Sequence, residues 1–391
     1  MNATTAHSLE RYRSFPGVPE LLSALAPAKP VYCIYPDVYR ATAREFVDTF
    51  PGRVLYAVKA NARPAVIRLL YEGGVRHFDC ASLPEIATVR EACPDAECYF
   101  MVPVRLRGAA REAQTRFGVR HFMIDHASGL PPLAAEIDMQ SSVVFARMAV
   151  HHVAALQDLS SKFGAAPEHI PGLLEAIAAR GAEPALAFNV GSAVTSPDAY
   201  RYSIGAAADV LAELPFRVRL VDIGGGFAKP YPGFAVPPLG EYFAAVAAAR
   251  KDLPLAEGGE LLVEPGRALA APGLAAVVEV LLRKEQRLYL NDGMYGIFWE
   301  LRFKGHDRYP VRCYRHGRPI AGATARFRLY GPTCDGTDVL PGEAELPADI
   351  AAGDHLEFGA IGAYSLSGRT DFNGHYSDEI VFIEGAATPP G

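Results

Sequence analysis

The sequence predicts an α/β protein in which a TIM-type (β/α)8 barrel is followed by a mostly β C-terminal domain. Three observations carry this prediction. Eight short β-branched or aromatic runs precede Ala270, stretches of helical character separate them, and the texture after Ala270 changes to strand and turn.

The expected strands are "LYAVKA" at Leu55, "HFDCAS" at His77, "CYFMVP" at Cys98, "HFMID" at His121, "VVFARMAV" at Val143, "ALAFNVGS" at Ala185, "RLVDIGGGF" at Arg219 and "ELLVEPGR" at Glu260. Between them, Pro64 to Leu70 is closed by Gly73-Gly74, and Pro84 to Arg90 again starts on proline, the usual punctuation of a helix. Eight βα units in series favour a closed barrel over an open doubly wound sheet. Beyond Ala270, "AAVVEVLLRKEQRLYLNDG", "ARFRLYGPTCDG", "GDHLEFGAIGAYSL" and "DEIVFIEG" read as strands, and the N-terminal "PVYCIYP" is expected to join them. The expected domains are residues 38–270 for the barrel and residues 1–37 with 271–391 for the β domain. The tail "AATPPG" is expected to fray.

A chain of 391 residues has room for two or three cores. It is 50% apolar and 21% charged, with a net charge of −6 and no long single-sign block, which argues against a nucleic-acid partner. The N-terminus lacks a basic start followed by an apolar core, and the apolar stretches are interrupted before membrane-spanning length, so a soluble cytoplasmic protein is expected. The six cysteines form no C-x-x-C pair or metal spacing. They read as buried small hydrophobes, Cys334 excepted. His151-His152 has no metal-spaced partner.

Barrel chemistry sits at the C-terminal ends of the strands, and the unusual polar residues gather there. Lys59 closes the first run. It either snorkels to solvent or offers a desolvated amine for a Schiff base with an aldehyde. "DIGGGF", ending the seventh, makes a turn or lets backbone N–H groups approach a phosphate. In "EPGR", ending the eighth, Glu264 can face a ring nitrogen and Arg267 can clamp a phosphate, unless the two serve surface ion pairs. An amine, an anion cradle beside an arginine, and a carboxylate for a pyridinium are together the requirements of a pyridoxal 5'-phosphate site.

With "YAVKAN", "FDCAS", "FNVGS", "DIGGGF", "EPGR", "NDGMYG", "YGPTCDGTD" and "GAYSLSGRTDFNG" in that order, the chain resembles the barrel-type pyridoxal phosphate decarboxylases of amino acids, which share the alanine racemase-like fold. The resemblance spans roughly Val31 to Glu384 and is greatest to the ornithine decarboxylase-like branch. The related diaminopimelate decarboxylases usually carry a C-E-S-type motif where this chain has Cys334-Asp335.

The resemblance implies that Lys59 forms the internal aldimine and that Glu264 pairs with the pyridine nitrogen. Ser192, Gly224, Gly225, Gly226, Arg267 and Tyr364 would hold the phosphate, Asp79 and Arg147 would line the cofactor, and Gly266 would also bind it. It also implies a homodimer in which the "GPTCD" loop of one subunit completes the site of the other. Cys334 would then protonate the substrate carbon after CO2 leaves, and Asp335 would accept the distal ammonium of ornithine or lysine. Lys162 and Asp338 match positions that pair across the family's dimer interface.

Two positions depart from the pattern. Asn189 stands where the family commonly has a histidine over the cofactor ring. Lys304 stands where ornithine-specific members place an aspartate, and a lysine there would repel a distal ammonium. Glu300 and Asp307 are the candidate replacements. Trp299 either lines the substrate pocket or fills the β-domain core.

The rival readings are decarboxylation of another substrate (diaminopimelate, a carboxylated polyamine or a biosynthetic-pathway amino acid), racemisation, and a non-catalytic regulator that keeps the fold. Racemisation calls for a base where "GPTCD" places a thiol. A regulator would have lost cofactor-holding residues that this chain retains.

Overall fold

The computed structural model describes residues 9, 12–303, 308–385 and 387–390. All eight expected runs form strands: β1 (Arg53–Ala57), β2 (His77–Cys80), β3 (Glu97–Phe100), β4 (His121–Ile124), β5 (Val143–Met148), β6 (Glu183–Phe188), β7 (Leu220–Asp222) and β8 (Glu260–Val263). Each pairs in parallel with its successor, as in Leu55 with His77, and β8 closes onto β1 through Leu262 with Arg53. Side chains alternate across a strand, so every second residue points inward. Leu55, Tyr99, Met123, Phe145, Ala185, Ala187, Leu220 and Leu262 accordingly pack into one cluster that fills the barrel.

The connecting helices begin and end where their chemistry directs. Pro64–Glu72 opens on proline and stops at Gly73. In Leu83–Ala92, Ser82 accepts a hydrogen bond from the Glu85 amide at 3.4 Å, and the Glu85 carboxylate accepts one from the Ala81 amide at 2.6 Å. This reciprocal cap satisfies two amides that have no partner inside the helix.

At the N-terminal ends of the strands, Glu97 lies between His77 at 3.1 Å and His121 at 3.3 Å. His121 stacks on Tyr99 with centroids 3.8 Å apart, and Arg53 donates to the Tyr99 hydroxyl and to Glu260. Burial is the main force pushing the His121 pKa down to about 4, against the pull of Glu97. The folded barrel therefore keeps His121 neutral where the unfolded chain would protonate it near about 6.5. The unfolded chain binds more protons through that interval, so stability falls as pH drops from about 6.5 to about 4, by up to about 3 kcal/mol. Urea unfolding at pH 7 and pH 5 should show the loss. His121→Phe, which retains a ring over Tyr99, should remove most of it, and an unchanged loss in that variant would assign the effect to other groups.

The chain divides into two compact units. One holds Ala43–Ala228 and Val236–Gly266, and the other holds Ser8–Thr42, Lys229–Ala235 and Arg267–Gly391. In the second, strand Val31–Ile34 lies between Ile380–Ile383, to which it is parallel, and Leu274–Lys284, to which it is antiparallel. Leu274–Lys284 turns at Glu285 into Arg287–Leu290, with Thr324–Tyr330 beyond, and also pairs with His355–Phe358. Its core joins Val18, Leu21, Val31, Cys33, Val277 and Val381 among others.

The expectation of a frayed tail is corrected for residues 387–390, while Ala386 and Gly391 lie outside the described residues. The Arg312 guanidinium donates to the carbonyls of Thr388 at 2.8 Å and Pro389 at 3.2 Å, which ties the terminal segment down. Cys33, Cys80, Cys93, Cys98 and Cys313 are buried, and Cys334 is exposed. Among the described residues no helix is long and apolar enough to cross a membrane.

Candidate active site

Lys59 does not end a strand. β1 stops at Ala57, where sheet pairing gives way to a 3-10 turn over Val58–Ala60 that carries Lys59 at its centre. The turn lifts the lysine clear of the barrel wall. Its side chain is 48% exposed, and its amine lies 3.2 Å from the carboxylate of Asp79 on β2, which is buried. An amine held this way keeps its direction while remaining accessible to a reactant.

Two further carboxyl groups reach this mouth from the ends of β7 and β8. Asp222 is the last residue of β7, Glu264 follows β8, and both are buried. The Gly224 amide donates to one oxygen of Asp222 at 2.8 Å. The other Asp222 oxygen and Glu264 Oε1 are buried and receive no donor hydrogen bond from the described residues. Facing each other, the two groups can hydrogen-bond only while one holds a proton. Burial first, then the charges of Asp222 and Asp79, raise the Glu264 pKa well above the carboxylate range, with Lys59 and Arg147 opposing. Burial likewise pushes Asp222 up to about 6, against the Gly224 hydrogen bond. A cationic N–H donor placed here would resolve the conflict, and a protonated pyridine nitrogen is such a donor.

Beside the pair the chain turns through Gly224, Gly225 and Gly226. A Cβ on Gly225 would stand 2.5 Å from the Glu264 carbonyl oxygen, and Gly226 has φ +99°, which side-chain-bearing residues rarely adopt. Only glycines fit this path. Asn189 follows β6 and turns its carboxamide oxygen to the Gly191 amide at 3.0 Å. Ser192 starts a short strand paired with Ala155–Gln157. Arg147, on β5, lies with its guanidinium carbon 5.7 Å from the Phe163 ring centroid. The barrel unit thus gathers Lys59, Asp79, Arg147, Asn189, Ser192, the three glycines, Glu264 and Gly266.

The remaining predicted residues belong to the second unit. Arg267 opens a short helix, forms a buried ion pair with Glu300, and has its guanidinium carbon 5.4 Å from the Tyr364 ring centroid. Burial alone would lower the Arg267 pKa, but Glu300, Tyr231 and Tyr364 more than reverse that. Glu300 also accepts from the Tyr309 hydroxyl at 3.1 Å. Glu300 is therefore committed to Arg267, which removes it as a replacement acceptor for a substrate ammonium. Lys304 and Asp307 lie outside the described residues.

In the "GPTCD" loop, Cys334 points its thiol at Asn373 Oδ1, 3.5 Å away. Asp335 accepts from the Tyr295 hydroxyl at 2.5 Å and from Thr337, whose backbone N–H is 2.7 Å away, and these bonds hold its acid below the usual range. Asp338 is held within its own chain. It is 2% exposed and accepts from the amides of Met294 and Thr333 and from the Thr333 hydroxyl, so its charge anchors its own loop. Lys162 lies 4.9 Å from the Phe163 ring centroid. Trp299 packs edge-on to Phe303 and over Gly368, where a Cβ would stand 2.3 Å from the indole.

Reading the sequence missed Asp222, Tyr295 and the Glu300 pairing. Asp222 was signalled by a charge at the end of an apolar run. The other two depend on contacts between segments distant in the chain, for which a single sequence carries no mark.

A (β/α)8 barrel whose mouth presents an oriented amine, a buried carboxyl pair and a glycine cradle is an enzyme scaffold for a phosphorylated pyridine aldehyde. Residues 37–271 match the family described as "Pyridoxal-dependent decarboxylase, pyridoxal binding domain". The lysine/ornithine decarboxylase of Selenomonas ruminantium is 32% identical over 343 residues, covering 85% of this chain and 83% of the relative. Antizyme inhibitor 2 of Xenopus laevis is 29% identical, covering 88% and 79%. The crystal structure of lysine/ornithine decarboxylase from Vibrio vulnificus complexed with cadaverine superposes with a TM-score of 0.80 at 28% identity, covering 95% of this chain and 100% of that one. The chain belongs to the pyridoxal-dependent decarboxylases. It is a carboxy-lyase, its cofactor is pyridoxal phosphate, and the carboxyl pair and glycine turn fit that group.

Proposed function

We propose that this protein decarboxylates ornithine or lysine at Cα, giving the diamine and CO2. The observation that carries the reading is the Lys59–Asp79 contact beside the buried Asp222–Glu264 pair, in a chain of this family. Bound pyridoxal phosphate supplies an aldehyde for amine attachment and a ring that accepts the electron pair left by departing CO2.

The chain's own residues prepare that chemistry. Asp79 orients the Lys59 amine, which serves as the attachment point. Glu264, backed by Asp222, holds a proton on the ring nitrogen. Ser192, Gly224, Gly225, Gly226, Arg267 and Tyr364 would hold the phosphate, and Arg147, Asn189 and Gly266 would bind the rest of the cofactor. The barrel carries the cofactor, while the β domain completes the site of a second subunit in a cytoplasmic homodimer. There Cys334 gives a proton to the substrate carbon, and Asp335, aligned by Tyr295, takes the distal ammonium. Lys162 and Asp338 would lie at the interface of that dimer, with Asp338 also accepting from Met294 and Thr333 of its own chain.

One observation favours a second reading. Glu300 is committed to Arg267, and in the sequence Lys304 stands where ornithine-specific members place an aspartate, which together suit a decarboxylase of a neutral-tailed or acidic-tailed amino acid. CO2 release from a panel of L- and D-amino acids separates the readings. Release from ornithine or lysine is expected. Release only from neutral or acidic amino acids would overturn the substrate, and loss of optical activity without CO2 would overturn the reaction.

A further inference from the structure

Arg267 is the cation assigned to the cofactor phosphate, yet it already has an anionic partner. The guanidinium pairs with Glu300, which is 4% exposed, and Tyr231 and Tyr364 lie beside it. Tyr309 holds the other side of the Glu300 carboxylate through its hydroxyl at 3.1 Å. Glu300 sits on the 3-10 turn Trp299–Arg302, and Leu301 next to it is buried, so the carboxylate is fixed by the packing of the turn as well as by its partners. Two opposite charges out of water attract strongly, and each changes what the other can offer a third group.

We propose that Glu300 is a positioning residue that acts through Arg267: it aims the guanidinium and offsets its charge, and so sets how strongly the protein discriminates a phosphorylated ligand from the same ligand without phosphate. This rests on the reading in which Arg267 meets the cofactor phosphate. A phosphate approaching Arg267 shares the guanidinium with a carboxylate. The geometry of the fork is kept ready, at the expense of part of its net charge.

The chemistry of the pair gives the direction of the effect. A glutamine at 300 has nearly the same shape and can still accept hydrogen bonds from Arg267 and Tyr309, but it carries no charge. Arg267 would then present its full charge to the phosphate. An aspartate keeps the charge but reaches less far, which loosens the pair.

The test uses the full-length protein stripped of cofactor and titrated by absorbance with pyridoxal 5'-phosphate and, separately, with pyridoxal. The two ligands share ring and aldehyde, so the ratio of their Kd values isolates the phosphate. Glu300→Gln is expected to raise the preference for the phosphorylated ligand about tenfold, and Glu300→Asp by about threefold. In an Arg267→Ala background, Glu300→Gln should leave the ratio unchanged, because Glu300 acts only through the guanidinium. A packing role alone would weaken both ligands together and leave the ratio where it was. An unchanged or lowered ratio in Glu300→Gln overturns the proposal, and Glu300→Asp decides it by the same criterion if the glutamine variant does not fold. If Arg267→Ala itself leaves the wild-type ratio intact, the assignment of Arg267 to the phosphate is what fails.

Discussion

Lys59→Ala is expected to abolish the absorbance band that the purified protein develops with added pyridoxal phosphate, and to lower kcat/KM by roughly 10⁴-fold or more. The amine is half exposed on its 3-10 turn and directed by Asp79 at 3.2 Å, while the wall behind it is apolar and buried. Among the described side chains of the mouth cluster, no other amine stands beside the carboxyl pair. Lys59→Arg separates charge from nucleophilicity, since a guanidinium keeps the ion pair with Asp79 and remains protonated. That variant should bind the cofactor and still show no band. A band surviving in Lys59→Ala would place the attachment point elsewhere and remove the basis for the proposed reaction.

Glu264→Gln is expected to reduce kcat by roughly 10²–10³-fold with a much smaller change in cofactor affinity. The amide occupies the same volume and accepts a hydrogen bond, but it has no negative charge with which to keep a proton on the ring nitrogen. Glu264 is buried with a second carboxyl group against it, so the missing charge is not replaced by water. Asp222→Asn should cost less, because Asp222 works through Glu264. A Glu264→Gln enzyme within a few-fold of the wild-type kcat would show that the ring nitrogen does not depend on this carboxylate. Steady-state rates on the best substrate of the amino acid panel, read beside cofactor Kd values, make the comparison.

The barrel was legible because its strands obey local rules. "HFDCAS" and "HFMID" are apolar or aromatic runs bounded by turns, and both became strands, ending at Cys80 and Ile124, two residues and one residue short of the run. Capping followed residue chemistry at Ser82 and Gly73. Lys59 shows where local reading gives out: "LYAVKA" continues as a strand by composition, yet the strand stops at Ala57 and Lys59 falls on the 3-10 turn Val58–Ala60. The tail failed for a related reason. "AATPPG" looks unanchored until Arg312, far earlier in the chain, takes its carbonyls.

The site divides along the same line. Lys59, the glycine turn and Glu264 are marked by residue types that are costly anywhere else in a barrel strand. Asp338 and Glu300 carry no such mark. Their charges could as well have been solvated, and only the placement of Met294 and Thr333, or of Arg267 and Tyr309, decides otherwise.

The way the second unit is assembled bears on how the chain acquires its structure. Ile34 is the register partner of Leu274, and Val381 pairs beside Cys33, so the sheet joins the beginning of the chain to its end across everything between. Synthesis runs from the N-terminus. The barrel has all eight strands once Val263 has emerged, whereas Val31–Ile34 gains its antiparallel neighbour only with Leu274–Lys284 and its parallel one only when Ile380–Ile383 arrives. The entropy of closing so long a loop is largely met beforehand if the barrel has already condensed and brought the two ends of its segment together. Completion of the sheet is then the late event of folding, and truncation of the last strand would leave a formed barrel attached to an open sheet edge, a species prone to pair with its own kind.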